Sequence, residues 1–290
     1  MRTRKVGAAI SSCLIAITLV ACGGGGEEAK PSSEKANFPA GTTMARLNEA
    51  GKISVGVKAD QPGIGFRDPA TGRFEGFDIE MAKMVAAMLG IDPGAIVFKE
   101  TVSKNREPFI ENGTVDVVIA SYSITDERRQ IVSMAGPYYV TGQQLLVRED
   151  DKGTITGPDK LKGVRVCSVT GSTSIKTVEE QYGAQAVPFS TYTECVQQLL
   201  SKSVDAVTTD GSILLGYAAQ QPDKLEVVGP PFSQERYGIG FKKGDTAFCE
   251  FLRSTIQRAF QDGTWKVAFQ ATLGRSGAEA PPPPQLDGSC

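Results

Sequence analysis

The sequence contains no histidine. That single absence removes Ser-His-Asp and Cys-His catalysis, histidine-ligated zinc and imidazole acid–base work. Its six cysteines include no C-x-x-C pair, so no metal site and no cofactor is expected. Excess charge of one sign is also missing. The 31 basic and 33 acidic residues leave a net charge of −2, which indicates neither a nucleic-acid footprint nor an acidic tail. Gly7 to Val20 is apolar but falls short of the roughly 20 residues a spanning helix needs.

The 290 residues suffice for two lobes of ordinary size, and a hydrophobic content of 40% supports a core. Arg2, Arg4 and Lys5 precede the apolar run, which ends Leu19-Val20-Ala21-Cys22. This pattern predicts a signal peptide over residues 1–21. Cys22, directly after the small-residue site, resembles a bacterial lipobox, whose cysteine is lipidated and becomes the first residue of the mature chain. Residues 22–41, rich in Gly, Glu, Lys, Pro and Ser, read as a flexible tether. A lipid on such a tether holds a domain at the outer face of a cell membrane without spanning it. Four cysteines remain, and an oxidising compartment permits three connectivities. From their places in the chain the expected pairs are Cys167–Cys195, within one lobe, and Cys249–Cys290, tying down a Pro-rich tail over 276–290.

Lys52 to Lys58, Ala95 to Lys99 and Val115 to Ala120 read as strands, separated by a helical pattern from Ile79 to Leu89 and a short one at Phe109 to Asn112. The order β-α-β-α-β implies a parallel sheet with helices on its faces. Gln143 to Arg148 reads as an extended crossing segment. A second set follows: strands at Gly163 to Cys167, Ala186 to Phe189, Val204 to Asp210 and Leu225 to Val228, with helices between. Tyr237 to Lys242 is a second crossing strand, and Thr246 to Asp262 a long helix. The expectation is an α/β protein of two lobes joined by two crossing strands, with a cleft between. Lobe one takes 42–144 and 238–275, and lobe two takes 145–237.

Ligands of open α/β sheets sit beyond the carboxyl ends of strands. Lys58 ends the first strand, Arg106 follows the second, and Ser121 and Ser123 end the third, five residues before Arg128. Short hydroxyls and a guanidinium fork suit a free carboxylate. An ordinary alternative makes Thr125 a helix N-cap and Arg128 a solvated helix residue. Ser168 to Ser174 forms a Gly/Ser/Thr turn before a helix, an anion-binding geometry. It lacks the Gly-Lys-Ser/Thr of a P-loop.

Several stretches together resemble the polar-amino-acid family of bacterial extracellular solute-binding proteins, receptors of ABC importers with the type II periplasmic-binding-protein fold. They are Gly76-Phe77-Asp78-Ile79, Asn112 to Asp116, Ser123 to Arg128, Thr170-Gly171-Ser172, Val204 to Val207 and Asp262-Gly263-Thr264-Trp265. The resemblance implies that Ser121, Ser123, Arg128, Thr170, Gly171 and Thr173 hold a ligand α-carboxylate and Asp210 the α-ammonium. It places the side-chain end at Lys58, Ser103 and Arg106. That set suits glutamate, and secondarily aspartate, and the chain is similar to glutamate-binding lipoproteins. Gln61 stands where the family carries a stacking aromatic. The implied partners are the permease subunits, with the receptor a monomer. Two other readings remain: an amino-acid sensor for a signalling partner, and a dehydratase-type enzyme using Glu100, Asp60 or Asp210.

Overall fold

A computed structural model describes residues 37–290. The signal, Cys22 and the tether as far as residue 36 lie outside the described residues. Among the described residues, no helix is long and apolar enough to cross a membrane.

Two five-stranded sheets carry the fold. The first orders its strands Ile96–Glu100, Ile53–Val57, Val117–Val118, Glu235–Phe241 and Ser133–Thr141. The second orders Gln185–Phe189, Arg165–Val169, Ala206–Asp210, Gln143–Arg148 and Leu225–Val228. In each sheet the β/α strands pair in parallel, while the strand returning from the other lobe pairs antiparallel. Helix ends follow local chemistry. Thr42 caps Thr43–Ala50 and Gly51 ends it at φ +63°; Asp245 caps Thr246–Asp262 and Gly263 ends it at φ +82°. The core of lobe one centres on Phe77, Tyr138, Trp265 and Phe269, all fully buried or nearly so. Trp265 donates its indole N–H to the Tyr138 carbonyl at 2.8 Å, so its one polar atom is satisfied.

The sheet switch lies slightly away from the expected boundaries. Gln143 and Gln144 already pair with Asp210 and Thr209 in the second sheet, and Glu235 to Tyr237 pair with Thr141 to Tyr139 in the first. The switch is at Gly142, where a Cβ would meet the Ser233 carbonyl oxygen at 2.5 Å and Pro231 at 2.7 Å. The two crossing segments therefore lie against each other. The strand Ser133–Thr141 is an addition to the expected set of strands. It lies at a sheet edge, and Pro137 falls where the pairing with Glu235–Phe241 shifts register between Tyr237 and Ile239, so no regular ladder bond needs its N–H. Asp60–Gln61, Gly65–Arg67 and Phe74–Glu75 form a small antiparallel sheet in a stretch that reads as loop.

Both expected disulfides are present, with Cα–Cα distances of 5.5 Å for Cys167–Cys195 and 6.0 Å for Cys249–Cys290. The tail is bound to the body by more than its disulfide. Asp287 pairs with Arg129 at 2.6 Å and with Arg236, and its amide donates to the Gly136 carbonyl at 2.8 Å.

Candidate functional site

The strand ends of both sheets face one cleft. Ser103, Arg106, Ser121, Ser123 and Arg128 come from the first lobe, and Ser172, Thr173, Ser174, Tyr192, Thr209, Asp210 and Ile213 from the second. The cavity they enclose measures about 10 Å³, room for roughly one water molecule. A groove of about 470 Å³ on lobe one is larger, but exposed Arg73, Glu75 and Arg275 line it, where water screens their charge.

Arg128 meets only half of the ordinary alternative: its helix is capped as that reading has it, but its side chain is buried at 9% exposure rather than solvated. Thr125 does cap the helix Asp126–Ile131, accepting the Arg128 amide at 3.2 Å. The Arg128 guanidinium nevertheless turns into the cleft. It donates to the Ser123 carbonyl at 2.7 Å, to Glu107 at 3.2 Å and to the Gly171 carbonyl at 3.0 Å. Arg106 opens the helix Arg106–Glu111 but is only 2% exposed. It donates to the Ala120 and Ser121 carbonyls at 3.2 Å and to Gly171 at 3.1 Å. Both guanidinium groups lie over the Tyr122 ring, at 4.4 and 5.0 Å from its centroid. Two arginines of lobe one thus converge on one carbonyl oxygen of lobe two. Gly171 is required there. Its φ is +83°, and a Cβ would sit 2.8 Å from the Lys104 Cα across the cleft.

Lys58 is 4% exposed and donates to Ser103 Oγ at 2.7 Å. It reaches the cavity through Ser103 rather than lining it. Burial, with the Arg106 charge adding to it, lowers its pKa to about 7. Asp210 is 4% exposed and ends the strand Ala206–Asp210. Tyr237 donates its hydroxyl to Oδ2 at 2.5 Å, while Oδ1 has no partner among the described residues. Burial, with Glu235 second, raises its pKa to about 7. An acceptor oxygen left bare inside a protein costs several kcal/mol unless a donor meets it.

Of the residues proposed for the carboxylate, Thr170 is not brought in. It is exposed, and its amide is committed to the Phe189 carbonyl at 2.9 Å. Ser172 takes that place on the cavity wall, its Oγ also capping the helix Thr173–Tyr182. Thr173 lines the cavity and donates to Glu235 at 3.0 Å. Sequence reasoning missed Tyr192, Thr209 and Ile213. Thr209 adjoins Asp210, and Tyr192 opens a helix beyond a strand end, so strand-end logic applied to lobe two would have found them. It also left Asp78 without a role. That carboxylate accepts the Ser121 amide at 2.7 Å and the Tyr138 hydroxyl at 2.6 Å, and holds Ser121 at φ +42°. Burial raises its pKa to about 6.

Residues 53–274 match the model of the bacterial extracellular solute-binding proteins, family 3. The chain is 38% identical over 284 residues to the glutamate-binding protein GluB of Corynebacterium efficiens, covering 94% of this chain and 92% of that one. It is 34% identical to the ABC transporter glutamine-binding protein GlnH of Bacillus subtilis, covering 93% and 97%. Among solved structures, an ancestral arginine-binding protein bound to glutamine superimposes with a TM-score of 0.71 at 35% identity. That match covers 77% of this chain and 98% of that one.

Proposed function

Because the chain belongs to the bacterial extracellular solute-binding proteins of family 3, we propose that it binds an acidic amino acid in the cleft and delivers it to an ABC permease. The family assignment makes it an amino-acid solute-binding protein of ABC transport and not an enzyme. The finer reading is L-glutamate first and L-aspartate second, carried by a receptor tethered through lipidated Cys22 to the outer face of the membrane.

The observation that carries it is the charge layout of the cleft. Asp210 offers a bare carboxylate oxygen, which suits an α-ammonium. Arg128 aims a donor at the Gly171 carbonyl oxygen, which suits an exchange of that carbonyl for the α-carboxylate, and Arg106, donating to the same oxygen, is the cation next along toward the side-chain end it shares with Ser103 and Lys58. Ser121, Ser123 and Thr173 add hydroxyls to the α-carboxylate end. Lys58, bonded to Ser103, supplies a third cation, the one a second carboxylate needs when it leaves water. The names of the relatives agree in part: one is a glutamate-binding and one a glutamine-binding protein.

Binding requires movement. The contacts of Gly171 with both arginines hold the lobes together, and the cavity is far smaller than an amino acid. The lobes part, the ligand enters, and closure rebuilds the guanidinium contacts on the ligand. A ligand that touches both lobes favours the closed state by its differential affinity. Calorimetry of the purified protein against glutamate, aspartate, glutamine and arginine tests the assignment. Glutamate should bind at least about tenfold tighter than glutamine, as one retained charge pair implies. Tighter glutamine binding would sink the role given to Lys58.

A further inference from the structure

The helix Asp126–Ile131, which carries Arg128, spans six residues. A helix that short is marginal on its own backbone bonds and takes its place from what surrounds it. Part of that surround is the tail. Asp287 accepts a hydrogen bond from the Arg129 guanidinium at 2.6 Å through one carboxylate oxygen and one from Arg236 through the other. The Arg236 carbonyl in turn accepts the Ile124 amide at 2.7 Å. One carboxylate therefore brackets the stretch from Ile124 to Arg129 at both ends.

The carboxylate is itself held in place. The Asp287 amide donates to the Gly136 carbonyl at 2.8 Å, Leu286 packs against the main core, and Cys290 is tied by its disulfide to Cys249 in the long helix. The side chains of Asp287, Arg129 and Arg236 are 20%, 25% and 33% exposed, so water screens their pairing only in part. What they brace faces the cleft. Arg128, next to Arg129, donates to the Gly171 carbonyl of lobe two. Tyr237, next to Arg236 on a strand and so turned to its opposite face, donates to Asp210. The two arginines gripped by Asp287 thus stand one residue from the guanidinium at the carboxylate end and one residue from the hydroxyl that holds Asp210.

We propose that Asp287 is a positioning residue for the cleft: gripping Arg129 and Arg236 from behind, it fixes where Arg128 stands and how far it lies from Asp210. It touches no ligand. Its effect falls on the two ends that every α-amino acid shares, so it sets affinity without choosing among side chains. This inference rests on the amino-acid reading of the cleft, not on the choice of glutamate. The sign of its effect is diagnostic. By charge alone, removing an anion behind a carboxylate site tightens carboxylate binding. A loss of affinity therefore reports position.

Three variants of the purified protein test it by calorimetry well below the melting temperature of each, where all are folded. Asp287→Ala removes both acceptors, and affinity for glutamate and for glutamine should fall by one common factor of about tenfold. Asp287→Asn keeps the shape and one acceptor oxygen, and its loss should be smaller in both ligands. Asp287→Glu restores the paired carboxylate and should recover most of the affinity. A second readout is the nitrogen–proton resonance of the Arg128 Nε–H in the ligand-free protein, identified by its disappearance in Arg128→Lys; it should move in Asp287→Ala and return in Asp287→Glu. A merely stabilising tail predicts a lower melting temperature with affinities unchanged, and that result overturns the proposal. So does lowered affinity with the Arg128 signal unmoved. The wild-type titration separates the two ideas: if another α-amino acid binds best, the acidic reading fails, and the variant-to-wild-type ratio for that ligand still decides the role of Asp287.

Discussion

Asp210→Asn should abolish binding and stabilise the protein in the same step. The substitution keeps the shape and leaves an oxygen to accept the Tyr237 hydroxyl, now 2.5 Å from Oδ2. It turns the bare Oδ1 position into an amide N–H that confronts the ligand ammonium. Leaving that ammonium buried and unpaired costs about 2–5 kcal/mol, or roughly 30- to 5000-fold in Kd, for every α-amino acid alike. The stability effect has the opposite sign. Burial raises the folded pKa of Asp210 from its ordinary 3.8 to about 7. The folded state therefore holds the proton more tightly than the unfolded state. The destabilisation is absent below about pH 4, grows as pH rises, and is complete above about pH 7. At pH 8 it is on the order of 4 kcal/mol. Melting curves at pH 4 and pH 8 and calorimetry at pH 8 measure both effects. The variant should melt higher only at pH 8, by roughly 10 °C for a chain of this size. Binding within about threefold of the wild type would remove Asp210 from the site. A lower melting temperature at pH 8 would refute the account of its burial.

The same groups set a pH dependence. Below about pH 7, protonation of Asp210 opposes the ligand ammonium, so every amino acid should bind more tightly as pH rises toward 7. Above about pH 7, free Lys58 loses its proton and a distal carboxylate must recruit one. Glutamate affinity should then fall by up to about tenfold per pH unit while glutamine affinity stays level, and calorimetry across pH 6–9 reads the divergence. Parallel curves for the two ligands would exclude Lys58 from selectivity. Gly216→Ala should weaken all amino acids by one common factor, because the new methyl meets the Pro62 backbone oxygen only when the lobes close. Helix propensity improves by about 1 kcal/mol, so the fold should hold. Small-angle scattering should show less compaction on ligand addition, and unchanged compaction would count against this closure contact.

Much of the fold is legible in one dimension because its determinants are local. Thr42 and Gly51, Asp245 and Gly263 mark helix ends by capping chemistry that needs no distant partner. The β/α alternation in each half specifies the parallel part of two sheets, strand-end logic then places Lys58, Arg106, Ser121 and Ser123 at one cleft, and the family resemblance adds Arg128 and Asp210. Two kinds of feature escape that reading. Ser133–Thr141 is a strand despite Gly136-Pro137 because it lies at a sheet edge and its pairing shifts register at the proline, and both are properties of the whole sheet. Thr170 stands outside the cavity because the sheet claims its amide. Histidine-free composition, the order of strands and helices, and the charges available to the cleft were thus determined by the sequence itself. Which oxygen each cation meets was decided only by the tertiary structure. Gly171 joining two arginines and Asp78 holding Ser121 both depend on pairs far apart in the chain, whose approach is set by packing and not by neighbours.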